Sequence, residues 1–521
     1  MSRRFTLGRW LVIGLAAMAL LFTACSPPPA AESDAPAADA KTDPDAVLRF
    51  AYANAPGTLD PHVVNTAFAN VPLFQIFDRL VHMDTAGEAV PGLAESWEWS
   101  EDGKVLTLKL REGVTFHDGE PFNADAVKKN IERAKTVEAS FVANDLASID
   151  SVKAVDDSTV ELHLNAPDVG LVLKLSDRAG AMISPKTMTG DAVNLHPAGT
   201  GMYKVAEDYK VGVELRTEKF DGYWGPEAQK LAGIEMTFNA DTTAILNAIR
   251  SDSVDAGYLR EPEIDTAKSA GLQVVQGYDL GFGNILMNPD LTPALKDERV
   301  RMAVNLAIDR QSLVDGVLFG HGKVTNQPFP GGYFAHNDDV PQYDYDPEAA
   351  KELLKEAGFP NGFTWPIHNV PGPGTRINEA VAGQLEKVGI KVKVLETEAA
   401  AVGAMYSVEK TAPALNVRWT GRPDPTATLD LVFMPGGSNN PSGLASKKAI
   451  ELNEQQRAES DDAKRAELLQ ELSAELVEHP PASNIVLFQS VTATGANNKV
   501  VGLDAYISGK IEFRGVGMTE G

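Results

Sequence analysis

A mixed body of strands and helices with two large lobes is what this sequence predicts, and three observations carry the expectation. The chain has 521 residues, whereas a single apolar core stops growing at roughly 250–300. Its composition, 43% hydrophobic and 23% charged, is that of a chain that folds over most of its length. Strand signals at period two and helix signals at period 3.6 occur throughout without an internal repeat, which describes an α/β or α+β body.

The first residues form a separate unit. Arg3, Arg4 and Arg9 precede an apolar run from Trp10 to Phe22, followed by the small residues Thr23 and Ala24. Basic, apolar and small segments in that order make an export signal, and the run is shorter than the ~20 residues a permanent spanning helix needs. Leu21-Phe22-Thr23-Ala24-Cys25 resembles the bacterial lipobox, with Phe22 where Leu is usual. The resemblance implies a signal peptide over 1–24 and a lipid anchor on Cys25. Cys25 is the only cysteine, so no internal disulfide is possible. Residues 25–46 are rich in Ala, Pro, Asp and Glu and lack apolar periodicity; they read as a disordered tether, reaching on the order of 25 Å.

The body begins with a strand at Val47–Tyr52. The turn Glu101-Asp102-Gly103 leads into a strand with Leu106, Leu108 and Leu110 on one face, and Asp156-Asp157 into another with Val160, Leu162 and Leu164. Asn123 caps a helix running to Lys135. The second half is richer in helix. Val300, Ala303, Val304, Ala307 and Ile308 share one face. Asp346-Pro347-Glu348 combines a cap, a first-turn proline and an acid at the positive dipole end, and Gly358 ends that helix. Leu469, Leu472 and Leu476 form a last amphipathic stripe before Pro480-Pro481.

The net charge of −25, more negative still once the three arginines of the signal are removed, argues against a nucleic-acid partner. The 9 histidines include no pair at the spacing of a metal-binding helix, and no Gly-x-Ser-x-Gly occurs. Gly320-His321-Gly322-Lys323 lacks the earlier glycine and the hydroxyl residue of a phosphate loop. The sequence therefore predicts no enzyme, no metal and no cofactor.

Several motifs follow one another in a telling order: Thr58-Leu59-Asp60-Pro61; Pro91-Gly92-Leu93-Ala94-Glu95-Ser96-Trp97; Leu110-Arg111-Glu112-Gly113 through Phe116-His117-Asp118-Gly119 to Asp125; Gly199-Thr200-Gly201 with Tyr203; Tyr223-Trp224; Arg299-Val300-Arg301 with Ala307-Ile308-Asp309-Arg310; and Tyr345-Asp346-Pro347. Together they resemble the family 5 solute-binding proteins, the extracytoplasmic dipeptide-, oligopeptide- and nickel-binding components of ABC importers. The resemblance implies an α/β, periplasmic-binding-protein-like fold of the large type II, with a two-segment hinge. Lobe I is expected over 47–75, 185–282 and 487–521, an inserted subdomain over 76–184, and lobe II over 283–486. It also implies a monomer held outside the cell membrane by its lipid, in the periplasm or on the outer face. Such a protein closes on a small molecule or short peptide and passes it to permease subunits.

In peptide-binding members, a lobe II Trp is followed three residues later by an Asp that holds the ligand's amino group. Here Asn416, Trp419, Arg422 and Asp424 occupy that stretch, with Arg422 in the place of the Asp. A guanidinium repels an ammonium and suits a carboxylate or phosphate, so a non-peptide anionic solute is an alternative to a peptide. Asp424 is a second candidate amine acceptor if the loop is shifted, and Arg422 has internal pairing with Asp424 or Asp430 as its alternative. From lobe I, Tyr52 and Asn54 are expected near the cleft.

Overall fold

Leu48 and Phe50 of the first strand are fully buried while Val47 is exposed, the alternation that sets one sheet face on a core. This strand, Val47–Tyr52, lies between two parallel partners, Gly233–Phe238 and Ala256–Leu259. They belong to one sheet, of 11 strands among the described residues, that runs through both lobes. The structure, a computed structural model, describes residues 41–206 and 212–520. The export signal, Cys25 and most of the tether lie outside the described residues. The tether's last residues are ordered, contrary to expectation. Asp43 N donates to Met518 O at 2.8 Å and Ala232 N to Ala46 O at 2.8 Å, so C-terminal and lobe I backbone supply the pairing that the local sequence lacks.

Two long strands, Gln273–Met287 and Asn484–Ala496, join the lobes. They pair antiparallel, but their register shifts between Tyr278 and Phe282. On one side of the break the neighbour is Ala256–Leu259 of lobe I, and on the other it is Ala414–Trp419 of lobe II. Thr364–Asn369 and Lys391–Glu396 extend the lobe II side in parallel. A register break has few ladder bonds to lose on bending, so Asp279-Leu280-Gly281 is where the two halves can pivot. Separate apolar clusters form around Phe116, Ile131 and Leu162, around Phe50, Phe77 and Met236, and around Trp365 and Phe433; the second reaches past residue 76, the expected start of the inserted subdomain.

The elements expected from periodicity are present: Val105–Leu110, Thr159–Leu164, Ala124–Thr136 capped by Asn123, Glu298–Leu306, Pro347–Glu356 capped by Asp346, and Asp462–Glu478. The motif residues prove to be tied into the scaffold. Asp60 takes two bonds from Arg133, at 2.5 and 3.1 Å. Arg111 donates to Gly92 O at 2.7 Å and lies 4.0 Å from the Trp224 ring centroid. Asp78 gathers Trp224 Nε1 at 2.8 Å, Tyr223 OH at 3.2 Å and the His82 ring. Gly199 and Gly201 run so close to Ile76 and Gln75 that an added Cβ would sit 2.1 and 2.5 Å from backbone oxygens.

Two histidines fix a pH dependence. His117 Nδ1 accepts from Gly199 N at 3.4 Å and its other nitrogen faces Gly201 O at 2.9 Å. His62 likewise accepts from Arg133 at 2.9 Å and faces Ala181 O at 3.3 Å. Both arrangements need a neutral ring, and burial lowers both histidines, His117 to about 4 from an ordinary 6.5. Between those pH values the unfolded chain binds protons that the folded chain refuses. Stability is therefore expected to fall as pH is lowered through this window, by up to about 1.4 kcal/mol per pH unit for each ring. Urea unfolding at pH 7 and 5 checks this, and His117→Asn should show a shallower loss than wild type.

Candidate functional site

Parallel strands of both lobes deliver their C-terminal ends to the same region. In lobe I, Gly233–Phe238 leads to the helix Thr242–Arg250 and Ala256–Leu259 to the helix Glu261–Ser269. In lobe II, Thr364–Asn369 leads to Pro373–Glu386. Ligands of open α/β sheets collect at such strand ends. A chamber of about 490 Å³ lies there, with Thr242, Arg260 and Glu261 on one wall and Val370, Arg376 and Asn416 among the residues of the other. Its base is Gly283, Phe488 and Ser490 of the hinge strands. The volume is that of a small-solute pocket.

The segment after Trp419 is pinned on both sides of Arg422. Gly421 has φ +70°, and an added Cβ would meet Leu280 at 2.5 Å; only glycine fits there. Pro423 O accepts the Tyr333 hydroxyl at 2.7 Å. Trp419 is anchored through Nε1 to Thr428 Oγ1 at 3.1 Å, and the Arg422 guanidinium carbon lies 5.9 Å from its ring centroid, within cation–π range. Arg422 makes no hydrogen bond or ion pair among the described residues, and its Nε is buried without a partner.

The two acids named as Arg422's alternative internal partners are both taken. Asp430 pairs with Arg457. Asp424 is fully buried and receives Arg465 on both oxygens, at 2.9 and 2.8 Å. It also caps the turn Pro425–Thr428 through Thr426 N at 2.9 Å. Arg465 and Lys174 hold its carboxyl below the usual range against the effect of burial. Asp424 therefore belongs to the scaffold, a correction to its expected place as an amine acceptor: its lone pairs are spent on Arg465 and the cap.

The charges that Arg422 does act on come from the opposite side of the cleft: Asp145, Asp177, Arg178 and Lys510. Asp177 accepts from Asn70 at 2.6 Å and from Lys510 at 3.3 Å. Burial would raise its carboxyl, but Lys510 and Arg178 hold it well below the usual range. Burial raises Asp145 and lowers Arg178 and Lys510. Asp145 also lines a second chamber, of about 400 Å³, with Lys174 on its own side and Leu431 and Met434 of lobe II opposite. Nearby, Val169 N donates to Arg457 O at 3.0 Å, so the sides touch.

The remaining expected residues are placed as follows. Tyr52 is buried, edge-on to Tyr258 at 5.8 Å, and lines a small crevice with Lys510. Asn54 is exposed at the end of that strand. Asn416 donates to Asn378 at 2.7 Å and borders the 490 Å³ chamber. Next to it, Arg418 pairs with Asp279 of the hinge. Tyr52 and Lys510 share one crevice and Asn416 borders the chamber, whereas Trp419 and Arg422 line neither; the charged groups that sense Arg422 are Arg178, Lys510, Asp145 and Asp177. Nothing local distinguishes those four: Asp177-Arg178 reads as the end of an apolar run, and Lys510 as a loop lysine.

No group of side chains among the described residues is arranged to hold a metal ion, and no helix among them is long and apolar enough to cross a membrane. Residues 88–440 match the family described as "Bacterial extracellular solute-binding proteins, family 5 Middle". The glutathione-binding protein GsiB of Pectobacterium atrosepticum is 32% identical over 351 residues, covering 66% of this chain and 67% of the relative. The dipeptide-binding protein of Escherichia coli K12 is 29% identical over 490 residues, covering 86% and 89%. Among solved structures, HbpA2 of Haemophilus parasuis superposes with a TM-score of 0.80 at 27% identity, covering 91% of this chain and 100% of that one. With the two-lobed sheet, the hinge and a match over most of its length, this chain belongs to the family 5 bacterial extracellular solute-binding proteins.

Proposed function

We propose that the protein is the solute-binding lipoprotein of an ABC importer, capturing a peptide or peptide-like solute by cleft closure and delivering it to the permease. The observation that carries this is the chamber at the strand ends of both lobes, floored by two hinge strands whose register breaks at Asp279–Gly281. Closure around a solute removes water and strengthens each polar contact, and the closed form is what a permease can select. Relatives that bind glutathione and dipeptides support a peptide-like solute of that size. Anchoring through Cys25 is supported by the signal that precedes it. Two or more acyl chains give stable membrane attachment.

A second reading, a non-peptide anionic solute on the same scaffold, is favoured by the unpaired Arg422. An enzyme or a non-transport surface lipoprotein has no observation in its favour. The test is native mass spectrometry of protein extracted from its own host's membranes. The expected mass includes lipid on Cys25 and one small solute per chain. Soluble, unlipidated protein contradicts the anchor, and empty protein that binds no peptide or organic anion contradicts the solute-binding role.

A further inference from the structure

We propose that a carboxylate of the bound solute is clamped across the cleft, by Arg422 from lobe II and by Arg178 and Lys510 from the facing side. The inference rests on the solute-capture reading above and concerns a charge cluster outside the lining of the 490 Å³ chamber.

The argument begins with charge. Around Arg422 the ionised neighbours are Arg178, Lys510, Asp145 and Asp177. The surrounding charges are closed among themselves. Lys174 pairs with Asp168 at 2.7 Å, Arg465 with Asp424 at 2.8 Å, Arg457 with Asp430, and Arg418 with Asp279. Three cations thus face two carboxylates, and among the described residues the half-buried Arg422 is left without a partner. Arg178 is 4% exposed and Lys510 8%. Buried charge is ordinarily balanced, so a monoanion completes the site.

Hydrogen bonding points the same way. Arg422 Nε and Arg178 Nε are both buried without an acceptor. Arg178 Nε lies 3.8 Å from Asp177 Oδ1, beyond hydrogen-bond reach. Unmet buried donors in a folded protein call for a partner. Arg422 is aimed by its pinned neighbours Gly421 and Pro423, yet makes no hydrogen bond or ion pair among the described residues. A planar carboxylate fits a guanidinium fork with two parallel bonds. A phosphate dianion would overbalance the single spare charge beside Asp145 and Asp177. Because the cations sit on opposite sides of the cleft, the carboxylate also draws the sides together.

The test is calorimetry with alanyl-alanine and glutathione, their carboxyl-blocked forms (alanyl-alanine amide, glutathione diethyl ester) and N-acetyl-alanyl-alanine. The free acids are expected to bind, with roughly thirtyfold or more lost on blocking the carboxylate. N-acetylation should cost little, since no acid in the cluster is left over for an ammonium. Arg422→Gln and Lys510→Met should lower the affinity of the acids to that of the blocked forms while leaving the blocked forms unchanged. Arg422→Gln removes no hydrogen bond or ion pair among the described residues, only the contact with the Trp419 ring, so its unfolding temperature should lie close to wild type. Equal binding of acids and blocked forms, or full affinity in Arg422→Gln, overturns the clamp and leaves solute capture standing. Failure of every probe to bind wild type overturns both.

Discussion

Replacing Asp424 by alanine is expected to cost about 3–5 kcal/mol of stability, because it strands Arg465 in the interior. The carboxylate is fully buried, and Arg465 spends Nη2 on it at 2.8 and 2.9 Å. The same residue caps the turn that follows Trp419 and Arg422, so the loss includes a cap worth about 1 kcal/mol. Arg465→Met should be comparably harmful for the opposite reason, leaving a bare carboxylate. The double variant Asp424→Leu with Arg465→Met should recover much of the loss, since exchanging a whole buried pair for apolar groups is often neutral. Urea midpoints of the three variants check the claim. A ligand-contact role would show the reverse: near-normal stability in Asp424→Ala with affinity alone lost.

Glu512→Ala is expected to have a similar effect, again about 3–5 kcal/mol. Arg79 is 2% exposed and grips Glu512 with two bonds of 2.8 Å, across 433 positions of chain. The Arg79 guanidinium carbon also lies 3.9 Å from the Phe74 ring centroid. Arg79, Asp78, His82, Tyr223 and Trp224 join here, so the pair ties the C-terminal segment to the inserted subdomain and to lobe I. Losing Glu512 leaves a guanidinium that no other acid among the described residues bonds. Glu512→Gln keeps one acceptor and should cost less. Unfolding curves that overlay wild type in both variants would show the pair to be dispensable.

Local chemistry made most elements legible. Asn123, Asp346 and the Asp-Gly turn at 102–103 begin or end the elements they were expected to, because caps and turns depend on a few adjacent residues. The signature motifs were legible as a scaffold, and their contacts explain why: Gly199, Gly201, His117, Asp60 and Arg111 bind one another or backbone, not a cleft. The hinge followed only from the resemblance, since Gln273–Met287 carries no local mark of its register break. The charge cluster was the least legible part. Arg422 stood out by its type at one position, but Asp145, Asp177, Arg178 and Lys510 come from distant segments that only folding brings together. Asp424 was misplaced for the same reason, its partner Arg465 lying 41 positions away on another helix.

The central claim is that the lobes close on a solute about the hinge strands. Small-angle X-ray scattering of the soluble body, with and without a solute shown to bind, tests it most directly. A hundredfold excess over the dissociation constant stabilises the bound form by roughly 2.7 kcal/mol, so the bound sample is homogeneous. The account predicts a smaller radius of gyration and a shorter maximum dimension with solute. Identical scattering profiles with solute bound would contradict it.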